Sequence, residues 1–316
     1  MPLNRDKVVF IVGPTAIGKT SLAVKLAAKV KGEIISCDSM QVYKGIKILS
    51  QAPVPRETGK IPYHLINFLI PSREFSVARF ITMARRLIKK IIARKKVPIV
   101  AGGSGLYVKG LIDGLFPSPE ADDKFRKKMY GLAQRYGSRY LHNKLKVIDP
   151  VSAGSIHEND TKRIIRALEI WHSTGKTMTE LKKETKGISG IYDIRMFGLT
   201  APRDIIYKRI NNRVDDMIRA GALKEAKKIC KKKLSKTAKA IIGLKEFSAF
   251  LGGEYDLNTA AEHMKRNTRR FAKRQLTWFR ADKRIKWLDV SEISGAEVVR
   301  MITKEMKNGT RNNSYS

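Results

Sequence analysis

Acidic residues are scarce in this chain. Its 316 residues hold 29 Asp and Glu against 64 Lys and Arg, a formal charge of +35. Such an excess of positive charge points to a polyanionic partner, nucleic acid first and an anionic membrane second, although a general lysine bias would supply part of it. Cysteine is scarce too. Cys37 and Cys230 make neither a disulfide framework nor a zinc cluster, so a reduced, cytoplasmic protein is expected. Long apolar runs are missing: none approaches a membrane span, and Val8 to Val12 is too short for a signal peptide, so no membrane partner is expected. The length suits one large domain or two smaller ones.

What is present is concentrated in KVVFIVGPTAIGKTSLAVKLA, Lys7 to Ala27. Lys7 to Val12 is a short β-branched run that reads as a buried strand. Gly13, Pro14, Thr15, Ala16, Ile17, Gly18, Lys19 and Thr20 then spell G-x-x-x-x-G-K-[ST], and Ser21 to Val30 repeats apolar residues at helical spacing. Strand, glycine loop and helix form a phosphate cradle, because the loop amides and the helix N-terminus favour negative charge. Lys19 adds a full charge against a terminal phosphate, and the Thr20 hydroxyl suits a magnesium ion. The bland alternative is a glycine turn with no ligand.

Glu33 to Cys37 is a second strand. It ends in Asp38-Ser39-Met40-Gln41-Val42-Tyr43, placed at the carboxyl edge of a parallel sheet beside the phosphate site. Asp38 is either a functional carboxylate or a turn and capping residue. Ser39, Gln41 and Tyr43 beside it suit a recognition surface. Ile46 to Pro62 reads as loop, and Tyr63 to Asn67 as strand, with His64 structural rather than catalytic. Phe75 to Lys96 is an amphipathic helix whose basic end, Lys89 to Lys96, is expected in solvent. Val97 to Ala101 is a third strand running into Gly102-Gly103-Ser104-Gly105, a second glycine turn at the same edge, with the Ser104 hydroxyl able to reach a phosphate or an acceptor group.

From Phe116 to about Ile194 the pattern turns charged and helical. The expected organisation is a catalytic core of 1–115 and 195–305, a helical insertion of 116–194 and a disordered tail of 306–316. Within the insertion Arg163 and Arg166 are either ligand contacts or partners of Glu169. Asp193 to Thr200 is again strand. In the helix after it Arg209 and Arg213, four apart, can clamp a phosphate, unless Asp215, Asp216 and Glu225 neutralise them. His263 to Arg280 interleaves a basic stripe, including Arg266, Arg270 and Arg274, with Phe271, Trp278 and Phe279. That mixture suits a phosphate backbone and stacked bases, or places the aromatics in the core. Ile285 to Val290 is a last strand.

Taken together, GPTAIGKT, DSMQVY, AGGSGLY, NDTKRIIRALE, RINNRVDDM, IIGLKE and TRRFAKRQLTWFR stand in one order over nearly the whole chain. In that order they resemble the tRNA dimethylallyltransferases, bacterial type. Two departures are visible: Ser104 stands where the family has threonine, and YHLIN stands where it has HHLID. The resemblance implies an α/β fold, a P-loop NTPase-like parallel sheet flanked by helices, with an inserted helical domain. It implies that the loop holds dimethylallyl diphosphate with Mg2+, that Lys19 and Arg213 stabilise the leaving diphosphate, that Asp38 accepts the adenine amine's proton and that Ser104 assists at the bridging oxygen. Its tRNA contacts carry over to Asp38, Ser39, Met40, Gln41, Ser104, Arg126 and the run Lys162, Arg163, Ile164, Ile165, Arg166, with Arg270 and Arg274 added from the basic stripe. A monomer is expected. Three rivals remain: a P-loop small-molecule kinase, an RNA-binding protein with a vestigial loop, and a prenyltransferase of free adenylates.

Overall fold

The structure is a computed structural model; residues 6–116, 119 and 121–307 are described. Six short runs become strands: β1 (Lys7–Val12), β2 (Gly32–Cys37), β3 (Tyr63–His64), β4 (Val97–Gly102), β5 (Asp193–Thr200) and β6 (Ile285–Asp289). They form one parallel sheet in the order β3-β2-β4-β1-β5-β6. β1 and β4 are near-continuous apolar runs, and β2 is buried throughout, because a parallel sheet covered by helices buries both faces. Register aligns their ends: Val12 lies opposite Gly102 and Gly198, and Cys37 opposite Gly102. The turns after β1, β2 and β4 therefore leave one edge side by side. The chain steps from β1 to β2 on one side and returns to β5 on the other, the reversal at which open α/β sheets bind ligands.

Four helices belong to the first half: α1 (Lys19–Val30), α2 (Pro55–Thr58), α3 (Val77–Ala93) and α4 (Gly105–Asp113). The stretch 46–62 expected as loop thus contains one helical turn. α3 starts where Ser76 accepts a hydrogen bond from the Arg79 amide at 3.2 Å, and it buries Phe80, Ala84, Ile88 and Ile91 at helical spacing. The end of this helix is not simply solvated. Arg94 and Lys96 reach Glu33 at 2.8 and 3.0 Å, and His64 meets the same carboxylate at 2.8 Å. His64 is thereby structural, and the strand expected over 63–67 shortens to two residues.

By packing, the described residues divide into two compact units, one reaching from the start to Leu111 and resuming at Ser189, the other Ile112–Ile188. The second is helical: α5 (Asp123–Tyr136), α6 (Ser138–Ile148), α7 (Pro150–Ser155), α8 (Thr161–Thr174) and α9 (Met178–Lys183), around Leu141, Leu145, Ile164, Ile165 and Leu168. The first unit continues with α10 (Arg203–Arg219), α11 (Ala222–Cys230), α12 (Lys236–Lys239), α13 (Leu244–Leu251), α14 (Leu257–Arg280) and α15 (Gly295–Lys307). Its core joins Val9, Ile11 and Leu199 of the sheet to Leu26 of α1 and Ile302 of α15. Met306 and Lys307, expected in a disordered tail, end α15, with Met306 buried in that core; 308–316 lie outside the described residues.

Candidate active site

Gly13 leaves β1 at φ 142°, where a Cβ would meet the Leu199 carbonyl oxygen at 2.6 Å, so only glycine fits there. The loop then opens onto a cavity of about 860 Å³, within the range of small-molecule sites. Thr15, Ala16, Gly18, Lys19 and Thr20 line it. Gly13, Pro14 and Ile17 build it from behind: Ile17 is buried in the core, and the Pro14 carbonyl accepts from Lys19 Nζ at 2.7 Å. Burial pulls the Lys19 ammonium down to about 7; the Asp38 carboxylate opposes that shift and Arg213 adds to it. The three charges share one end of the cavity, and all three line it.

Arg213 donates from Nη1 to Thr15 Oγ1 at 3.1 Å and from Nε to Gln51 Oε1 at 2.8 Å. The acids that might have neutralised it are occupied elsewhere. Asp215 pairs with Lys265 at 2.9 Å, Asp216 pairs with Arg219, and Glu225 accepts the backbone amides of Lys47, Ile48 and Leu49. Arg209, expected beside it in a two-arginine clamp, does not line the cavity and donates to the Val290 carbonyl at 3.5 Å, so of the two only Arg213 faces the loop. Residues four apart on a helix lie one above the other, and only the upper level reaches the loop.

Asp38 sits in a turn and also faces the cavity. Its Oδ1 accepts from the Met40 amide at 2.8 Å, a turn contact, while the residue lines the cavity with Ser39, Met40 and Gln41. Gln41 is held by the Ser36 hydroxyl at 2.8 Å and by its own bond to the Gln51 carbonyl at 3.0 Å. Ser104 stands elsewhere than expected. The cavity wall passes through Ala101 and Gly102, while the Ser104 hydroxyl accepts from the Ser39 amide at 3.3 Å. Ser104, expected at a bridging oxygen, is not among the residues lining the cavity and meets it only through Ser39.

Two site residues escaped sequence reasoning. Gln275 of α14 is buried, accepts from the Thr15 amide at 2.8 Å and donates to the Gly103 carbonyl at 3.0 Å, tying the phosphate loop to the second glycine turn. A Cβ on Gly103 would lie 2.0 Å from its Nε2, which explains the glycine. The one signal was an uncharged amide inside a basic run. Tyr63, the residue of the YHLIN departure, lines the cavity too; burial raises its phenol above the ordinary value against a hydrogen bond with Thr20. The rest of the wall is largely apolar: Leu49, Ile210, Val214, Met217, Met264 and Phe271.

The glycine loop and its largely apolar cavity can be set beside known proteins. The IPP transferase family model matches residues 41–282. The chain belongs to the IPP transferase family. A tRNA dimethylallyltransferase of Halothermothrix orenii is 47% identical over 291 residues, 91% of this chain and 89% of that protein. One from Bacillus subtilis is 43% identical over 291 residues, 91% and 92% of the two chains. Among solved structures, a tRNA isopentenylpyrophosphate transferase from Bacillus halodurans aligns with a TM-score of 0.71 at 40% identity, covering 96% of both chains. A eukaryotic dimethylallyltransferase acting on tRNA aligns at 0.78 and 30% identity, covering 98% of this chain and 81% of that one.

In this chain the residues expected to touch RNA fall into distinct settings. Arg274 lines the cavity, 5.8 Å over the Phe271 ring, and Arg270 is exposed. Phe279 is core, as its core reading had it, and Trp278 is exposed. In the helical unit Arg163 is largely exposed and pairs with Asp160, whereas Arg126 and Arg166 are both drawn to the fully buried Glu169, Arg126 at 2.8 Å. Ile164 and Ile165 are buried in that unit's core, so their side chains do not offer a contact surface. No helix among the described residues is long and apolar enough to cross a membrane.

Proposed function

We propose that this chain transfers a dimethylallyl group from dimethylallyl diphosphate to the exocyclic amine of the adenosine 3′ of the anticodon in tRNA, giving N6-isopentenyladenosine and diphosphate. The observation that carries the reading is the joining, in one cavity, of the Lys19–Arg213 cradle and an apolar wall, with the Asp38 carboxylate on the same surface. The cradle takes the diphosphate and the wall takes a short hydrocarbon chain. As the amine nitrogen attacks the allylic carbon, the carbon–oxygen bond breaks and its electron pair leaves with the diphosphate. Lys19, Arg213 and the start of α1 face that growing charge, where preorganised cations help most. Asp38 takes the proton the amine loses. The adenosine must leave its stack to enter the cavity, at a cost of a few kcal/mol that is lower in a loop.

A divalent metal fits this donor set in one way. Among the described residues no three His, Cys, Asp or Glu groups cluster to hold an ion, and Thr20 offers a hydroxyl at the cradle. Mg2+ is commonly held by few protein ligands and completed by phosphate oxygens and water. When bound it neutralises charge on the departing diphosphate. The tRNA would also be gripped by Ser39, Met40, Gln41 and Arg274 around the cavity, by Arg270 of α14, and by Lys162 and Arg163 of the helical unit, with Arg126 and Arg166 steadied by Glu169.

The kinase alternative shares the loop but needs a nucleotide. Calorimetric titration separates the two: dimethylallyl diphosphate should bind at a single site and be displaced by inorganic diphosphate. ATP should displace it only weakly. Tight ATP binding with no measurable heat from the prenyl donor would overturn the reading.

A further inference from the structure

Half of the residues from Lys224 to Lys239 are lysine, eight of sixteen, in a chain where Lys and Arg together make 64 of 316. Lys224, Lys227, Lys228 and Lys231 fall at i, i+3, i+4 and i+7, so they share one face of α11 and its end; all are exposed, and Ala222, Ala226 and Ile229 hold the opposite face in the core. Like charges at these spacings repel one another, and the helix dipole favours only those in the last turn, Lys227 and Lys228, so helix stability alone does not account for the whole run. The carboxylates within reach do not relieve it. Glu225 accepts the amides of Lys47, Ile48 and Leu49 at 2.9–3.1 Å, and Glu74 accepts the Lys236 and Thr237 amides. Among the described residues no ion pair joins a lysine of this run to an acid.

The run also abuts the cavity on two sides. Glu225 seats α11 on the segment whose Leu49, Ser50 and Gln51 line the wall, and Lys239 is followed directly by Ala240, Ile241 and Ile242, which line it as well. The geometry points to α11 and α12 as a second RNA-backbone surface, a lysine rim that grips phosphates flanking the nucleotide held in the cavity. It rests on the tRNA reading above and adds a partner surface that none of the motif residues provides. Lysine suits this work: a mobile point charge that follows a backbone without reading bases.

The test replaces Lys224, Lys227, Lys228 and Lys231 together by Gln, none of them in the catalytic or cradle machinery. Filter binding of unmodified tRNA across a salt series is compared with wild type. Each phosphate contact contributes a slope of about 0.7–0.9, so losing three or four should flatten the plot by about two to three and a half units and raise Kd at least about tenfold at low salt. The affinity for dimethylallyl diphosphate and the rate at saturating tRNA should hold. An unchanged salt slope overturns the rim. So does an unchanged slope joined to lost binding of vesicles containing anionic phospholipid, which would assign the lysines to a membrane surface. Failure of the function reading looks different, because wild type itself would then show no tRNA prenylation.

Discussion

Lys19 shows how much of the site is local chemistry. The loop pattern, its lysine and its hydroxyl residue lie within eight consecutive positions, so sequence alone could place them, and the same holds for Asp38 one strand away. Gln275 lies 260 positions from its partner Thr15, and nothing in the spacing of either announces the bond. Ser104 was legible as a hydroxyl at the right edge but not as a ligand of Ser39, because the difference is one of side-chain direction. Lys19 also carries a pH prediction. With its ammonium at about 7 in the protein, an entering diphosphate favours the charged form. Affinity for dimethylallyl diphosphate should be flat below about pH 7 and weaken by up to about tenfold per unit above it. Calorimetry in buffers of different ionisation heat should register proton uptake on binding. Lys19→Ala should bind weakly with no such pH dependence. A wild-type affinity constant to about pH 9 would contradict the assigned charge.

Among the elements, the buried strands and the long amphipathic helices were readable because one period governs each of them. β3 was overextended, since only two of its residues pair with β2 and the backbone then turns through positive φ at Leu65 and Asn67. The end of α3 departs from expectation for a related reason. A basic tail looks solvated until a buried acid is found opposite, and Glu33 sits on a strand some sixty positions earlier. That cluster makes a stability prediction. Burial would raise the Glu33 carboxyl, but hydrogen bonds from His64, Lys96 and Arg94 outweigh it and hold the pKa at about 2, against 4.5 ordinarily. A depressed folded value stabilises above the unfolded pKa. The contribution should therefore be complete above about pH 4.5 and vanish as pH falls toward about 2. Thermal melts over that window should show wild type losing its advantage over Glu33→Gln as the pH drops. Parallel curves for the two proteins would contradict it.

At the scale of the whole molecule, part of the surplus of positive charge lies exposed and outside any ion pair among the described residues, at Arg270 along α14, on the lysine rim of α11 and α12, and at Lys162 at the start of α8. The sheet order could not be read from the chain, because it depends on which strand each crossover lands beside, yet that order brings three separate turns to one edge. The central claim is that this edge moves a prenyl group onto an adenine nitrogen with Asp38 as the base. The direct measurement is a single-turnover experiment with labelled dimethylallyl diphosphate, Mg2+ and unmodified tRNA, with nucleosides separated afterwards by mass. Wild type should give label in N6-isopentenyladenosine and one diphosphate for each transfer, and Asp38→Asn should slow that step by roughly 10²–10⁴ while donor binding persists. Label that stays in the donor with wild type, or an Asp38→Asn rate within a few-fold of wild type, would contradict the account.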